Sequence, residues 1–138
     1  MSLRDELAGV LARDPRYSIQ AYAFVLEALD FTKKGLKKRR HARSRSSGKS
    51  GATQHVSGRE LCEGARRLAL AQYGFMALTV LGLWGIHSTA DLGEMVYNLI
   101  ASGDLEKTAG DSRADFDDVF DFETAFRRDY VLTLDEVA

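Results

Sequence analysis

The sequence predicts a mainly α protein: a single compact helical domain over 1–138 with a winged helix-turn-helix-like C-terminal half. Three observations carry that expectation. Apolar residues recur at i, i+3, i+4 and i+7 in three separate stretches, the spacing of helices that bury one face. Ser residues before those stretches and Gly residues after them suit helix caps and stops. The chain has 138 residues, 45% of them hydrophobic, a length that matches one domain with one core.

In chain order, a first helix over about 3–12 sets Leu3, Leu7, Val10 and Leu11 on one face, with Ser2 as its cap. Asp14-Pro15 ends it, because proline disfavours helix in the residue before it. Ser18 caps a second helix of about sixteen residues, with Ile19, Tyr22, Val25, Leu26 and Leu29 inside and Gly35 as the natural stop. Residues from about 36 to 55 read as a flexible basic loop. The centre of that loop, HARSRSSGKSGATQ, has almost no apolar side chain to offset the entropy of ordering.

Helix resumes at SGRE, where Ser57 and Glu60 have the Ser-x-x-Glu spacing of a capping box. Leu61, Ala65, Leu68, Ala69 and Tyr73 form its inner face, and Gly74 interrupts it. The run FMALTVLGLW that follows is so apolar that it is expected to be the most buried segment, with Leu81, Leu83 and Trp84 inside. Gly85 closes it. Ser88 or Thr89 then caps a helix to about residue 101, with Leu92, Met95, Val96, Leu99 and Ile100 inward and Gly103 as terminator. Residues 105–107 and 119–122 could form two short strands of a small β-hairpin, although no residue pattern compels them. DFETAFRRDY reads as a last short helix, and VLTLDEVA as a tail.

Charge is strongly segregated behind a net of −1. Residues 31–59 hold ten Lys or Arg and no Asp or Glu, whereas residues 91–138 hold thirteen Asp or Glu against four Lys or Arg. Such polarity fits two faces for two partners, or a loose, salt-sensitive contact of the basic run with the acidic region. The basic run Lys33, Lys34, Lys37, Lys38, Arg39, Arg40, Arg43, Arg45 and Lys49 is the candidate nucleic-acid element. Arginine-rich segments of this kind order on RNA, or another polyanion, through contacts that are mainly to phosphate.

The order helix (75–83), glycine turn, capped helix (89–101) and hairpin (104–122) is that of a winged helix-turn-helix. Its recognition helix, however, would turn Ala90, Asp91, Glu94, Asn98 and Ala101 outward, and its wing would carry Asp111, Asp115, Asp117 and Asp118. Carboxylates repel phosphate. This half is therefore expected to meet a protein partner through Asp91, Glu94, Asp115, Asp117 and Asp118.

Enzyme chemistry finds no support. Neither common phosphate-cradling glycine loop occurs, and the acidic cluster lacks the glycine and glutamate of an EF-hand. A weak Mg²⁺ site from Asp115, Asp117 and Asp118 stays open, against the plainer reading of a solvated acidic segment that Phe116, Val119, Phe120 and Phe122 anchor to the core. Cys62 and His55 flank a helix start, but Cys62 lies beside an apolar stripe and no third residue orients the pair. One Cys and three scattered His match no metal-ligand spacing, so no cofactor is expected. A single cysteine and an apolar run of only about twelve residues point to a cytoplasmic protein without a membrane span.

The segments DPRYSIQAYAFVLEALDFT, HVSGRELCEGARRLALAQYGFMALTVLGLWGI and DLGEMVYNLIASGDLEKT…SRADFDDVFDFETAF resemble a small uncharacterised bacterial family found mainly in planctomycetes and verrucomicrobia. The resemblance spans nearly the whole chain apart from the basic loop and the two ends. It implies a bacterial cytoplasmic protein and carries no site residues with it. The reading that follows is a non-enzymatic binding module that contacts RNA or another polyanion through the basic loop and a protein through the acidic face. A protein-interaction or assembly factor with no nucleic-acid role is the alternative.

Overall fold

The computed structural model describes residues 7–43, 56–103, 105 and 112–128. Among them the protein is mainly helical and has no strand. The elements are α1 (Ala8–Arg13), α2 (Ile19–Arg43), α3 (Gly58–Tyr73), α4 (Ala77–Leu83) and α5 (Thr89–Ala101). Short 3₁₀ turns cover Gly74–Met76 and Arg113–Phe116, and a π-helical turn covers Thr124–Arg128.

Helix starts follow local chemistry. The Ser57 hydroxyl accepts from the Glu60 N–H at 3.1 Å while the Glu60 carboxylate accepts from the Ser57 N–H at 3.0 Å, a complete capping box at the head of α3. Ser18 Oγ accepts from the Ala21 N–H, and Ser88 Oγ from the Asp91 N–H, at the heads of α2 and α5. Ser2 and residues 3–6 lie outside the described residues.

Two expectations are corrected here. Gly35 does not stop α2. The helix runs through it to Arg43, so the segment 36–43 is helical rather than loop, while 44–55 lies outside the described residues. Gly35 has no positive φ, and its neighbours Leu36, Lys37 and Lys38 are sound helix formers. Buried Thr32 and Leu36 also hold this part of the helix to the core, and one mid-helix glycine costs only about 1 kcal/mol against that. The second correction concerns residues 119–122, expected to be a strand. They form an irregular turn that leads into the helical segment at Phe122, and residues 106–111 lie outside the described residues.

The core is assembled by antiparallel packing of α2 on α3. Thr32 lies against Gly64, and Gln72 Nε2 donates to Glu27 Oε1 at 2.7 Å, so residue numbers rise along one helix as they fall along the other. A Cβ at Gly64 would collide with the Thr32 hydroxyl, and Gly64 is what lets the helices approach there. Tyr17, Tyr22, Val25, Leu61, Cys62, Leu68, Met95, Leu99 and Phe126 meet in one buried cluster. Of the inner faces expected of α3 and α5, Leu61, Ala65, Leu68, Ala69, Leu92, Met95 and Leu99 are buried, while Tyr73, Val96 and Ile100 are half-buried.

The apolar run 75–86 is less buried than its composition suggests. Ala77, Leu81 and Ile86 are buried and Trp84 is half-buried against Phe24 and Tyr73, but Leu83 is 80% exposed, Phe75 68% and Met76 46%. A seven-residue helix offers the core one face only. Leu81 is on it, and Met76, Thr79 and Leu83 are on the other. The chain then reverses at a Schellman motif: Ile86 N–H donates to Leu81 O at 2.9 Å and Gly85 N–H to Gly82 O at 3.0 Å, with Gly85 at φ +97°.

Candidate nucleic-acid interface

The second half of α2 displays the basic run. Leu36 is its buried anchor, and around that anchor Lys34, Lys37 and Lys38 are exposed and Lys33 is half-buried. Arg39, Arg40 and Arg43 continue the same helix, while Arg45 and Lys49 lie outside the described residues. Lys34 pairs with Asp30 at 2.9 Å, both side chains being well exposed, so the pair adds little and can be exchanged. Lys33, Lys37 and Lys38 make no ion pair with another described residue. Four lysines thus project from a rigid rod, a more ordered display than the expected loop.

The acidic residues expected to face a partner divide into two groups. Asp91 and Glu94 are paired within the chain, Glu94 at the surface. Asp91 accepts a 2.6 Å hydrogen bond from the Tyr17 hydroxyl and a 2.8 Å bond from the His87 N–H, and Glu94 meets Arg113 at 3.1 Å and Arg16 at 3.6 Å. Asn98, also expected to point outward, donates to Asp14 at 2.8 Å and to the Tyr22 hydroxyl at 3.1 Å. Three of the polar side chains expected to face outward from α5 therefore make contacts within the chain. Asp115 caps the 3₁₀ turn by accepting from the Ser112 N–H at 3.1 Å. Asp117 and Asp118 are exposed and pair with no other described residue, and they sit in the turn after it.

Asp14 is the centre of that internal network, which local sequence patterns do not announce. Its carboxylate accepts from Arg16 Nε at 2.9 Å, Arg16 Nη2 at 2.7 Å and Asn98, tying the turn before α2 to α5. The Arg16 guanidinium, aided by Asn98, holds the carboxyl well below the usual carboxylate range in spite of burial. Burial, and then the bond to Asp91, raises the Tyr17 hydroxyl, so it stays a donor. A carboxyl whose folded pKa is depressed stabilises the fold fully above its unfolded value of about 4, and that contribution is lost as pH falls. Asp14→Asn should therefore lower the denaturant midpoint most above about pH 5, with the gap to the parent narrowing between about pH 5 and 3. A gap of constant size across that range would mean the charge contributes nothing.

No catalytic arrangement emerges among the described residues. Cys62 is fully buried, and burial pushes its thiol up to about 12, which removes it as a nucleophile at neutral pH. Its supposed partner His55 lies outside the described residues. No group of three His, Cys, Asp or Glu side chains suited to a metal occurs among the described residues. An open cleft of about 410 Å³ at the head of α5 is lined by His87, Ser88, Thr89, Asp118, Asp121 and Phe122, without a base and nucleophile in register. Among the described residues no helix is long and apolar enough to cross a membrane.

Two features of the basic face escaped the sequence pattern. Phe31 is 40% exposed, and Gly35 has nothing within 4 Å of the place a Cβ would take. The available signal was that Phe31 falls outside the stripe of Ile19, Tyr22, Val25, Leu26 and Leu29. Comparison of the chain with protein-family models, with curated proteins and with solved structures finds no match.

Proposed function

We propose that the protein is a non-enzymatic binding module that contacts RNA or another polyanion through the basic end of α2. The observation that supports this reading most is the group Lys33, Lys34, Lys37 and Lys38 on one helix, of which Lys34 alone has an ion pair among the described residues, to the exposed Asp30. Arg39, Arg40 and Arg43 extend the same rod. With phosphate as the main contact, affinity is set by released counterions. If about six of these cations meet phosphates, affinity for duplex should fall by roughly 10³ between about 50 and 200 mM salt, and somewhat less for single strands.

Lys37, Lys38, Arg39 and Arg40 changed together to Ala should flatten that salt dependence by about three to four units of slope. Lys37 and Lys38 are exposed, and Ala keeps helix propensity, so folding should survive. The test is a salt titration of RNA and duplex DNA binding for the parent and the four-Ala variant. Equal affinities for both proteins at every salt concentration would reject the basic helix as a binding element.

A protein-interaction or assembly role is the second reading, favoured by the exposure of Phe75, Met76 and Leu83 around α4. Clustered exposed apolar side chains commonly mark contact surfaces. Asp91 and Glu94 already have partners within the chain, so Asp117 and Asp118 are the more open carboxylates for such a contact.

A further inference from the structure

We propose that Phe31, together with the notch at Gly35, is a stacking platform for an unpaired base, so that the ligand of the basic helix is single-stranded nucleic acid. This rests on the polyanion-binding reading above and narrows it to one ligand class. Positions 31, 34, 35 and 38 follow the i, i+3, i+4, i+7 rule and so share one stripe of α2. An aromatic ring, two lysines and a residue without a side chain therefore stand side by side on the surface.

Gly35 is the second observation. Side chains on a helix lean toward its N-terminus, so any side chain at 35 would lie over the turn that carries Phe31. None is present, and beyond its chain neighbours and the backbone of the helix itself no described atom lies within 4 Å of the Cβ position. The glycine serves no close packing here, in contrast to Gly64, which Thr32 abuts, and Gly93, which Phe116 abuts. It also sets no turn, because the helix continues through it. Phe31, one turn earlier, is 40% exposed, and glycine at 35 adds no side chain to cover it.

A base stacks on an open aromatic face while its phosphates meet flanking cations, which Lys34 and Lys38 supply on the same stripe. Duplex cannot use such a platform, because its base faces are already stacked. The weak, exposed Lys34–Asp30 pair can open to release Lys34 to a phosphate.

The experiment measures binding of a labelled oligouridylate of about twelve nucleotides, and of an RNA duplex of equal length, by fluorescence anisotropy at one salt concentration. Phe31→Ala should weaken the single strand about tenfold and the duplex less than about twofold. Gly35→Leu should act in the same direction by covering the ring, and it raises helix propensity, so misfolding is no alternative explanation. Phe31→Trp should preserve single-strand binding. Equal weakening of both ligands by Phe31→Ala, or no change in either, overturns the platform, and the basic-helix reading then survives if the four-Ala variant has lost affinity. A parent protein that binds neither ligand removes both.

Discussion

Leu81→Ala is expected to destabilise the protein by about 2–5 kcal/mol, whereas Leu83→Ala, two residues on, should change stability by less than about 0.5 kcal/mol. Leu81 is 2% exposed in the core cluster, and its carbonyl accepts the Ile86 N–H that closes the turn after α4. Truncating it removes buried methyl groups and leaves a cavity that a close-packed core fills only in part. Leu83 has the same chemistry and sits in the same helix, but four-fifths of its surface already meets water. Alanine is also the better helix former, so little is lost there. Denaturant midpoints of the two variants decide the matter. Similar losses at both positions would place the phase of α4 differently from the structure, and no loss at Leu81 would remove α4 from the core.

Gly85→Ala should cost about 3 kcal/mol or more, for two separable reasons. The residue sits at φ +97°, a region that L side chains rarely adopt. The added Cβ would also press against the Arg16 carbonyl oxygen, a backbone atom that cannot swing aside as a side chain would. That carbonyl belongs to the turn that Asp14 and Arg16 hold against α5, and Ser18 N–H donates to Trp84 O at 3.2 Å across the same junction. A shift there would disturb the head of α2 and the Asp14 network together. Gly103→Ala is the control. It shares the positive φ, at +88°, but has nothing within 4 Å of its Cβ position, so it should cost only about 1 kcal/mol. Thermal or urea unfolding of the two variants separates backbone strain from collision, and equal losses would show that the contact with Arg16 does not matter.

How much of this protein was legible beforehand depends on the range of the physics involved. The Ser57–Glu60 capping box, the Ser18 and Ser88 caps and the inner faces of α3 and α5 were readable, because each rests on residues within one or two turns of one another. The basic run and its lysines were readable from composition alone. Its conformation as far as Arg43 was not. Gly35 looked like a stop in isolation, and the packing of Thr32 and Leu36, added to the helix propensity of Leu36, Lys37 and Lys38, explains why the helix continues past it.

The same limit explains the candidate sites. Residues 75–84 were expected to be the most buried because they are so apolar, but hydrophobicity states a cost of exposure, not which face finds a partner. The neighbours around α4 cover Leu81 and leave Leu83 in water. Asp91, Glu94 and Asn98 looked outward because they fall off the apolar stripe of α5. Arg16, Arg113, Asp14 and Tyr17 then turn them into internal groups, from sequence distances between 19 and 84 residues. Sequence by itself determined helical class, element starts, face phase and charge segregation, since short-range sterics and hydrogen bonding specify them. Tertiary structure decided where α2 ends, which apolar face stays bare and which carboxylates remain free, because each of these depends on what segments remote in the chain bring alongside.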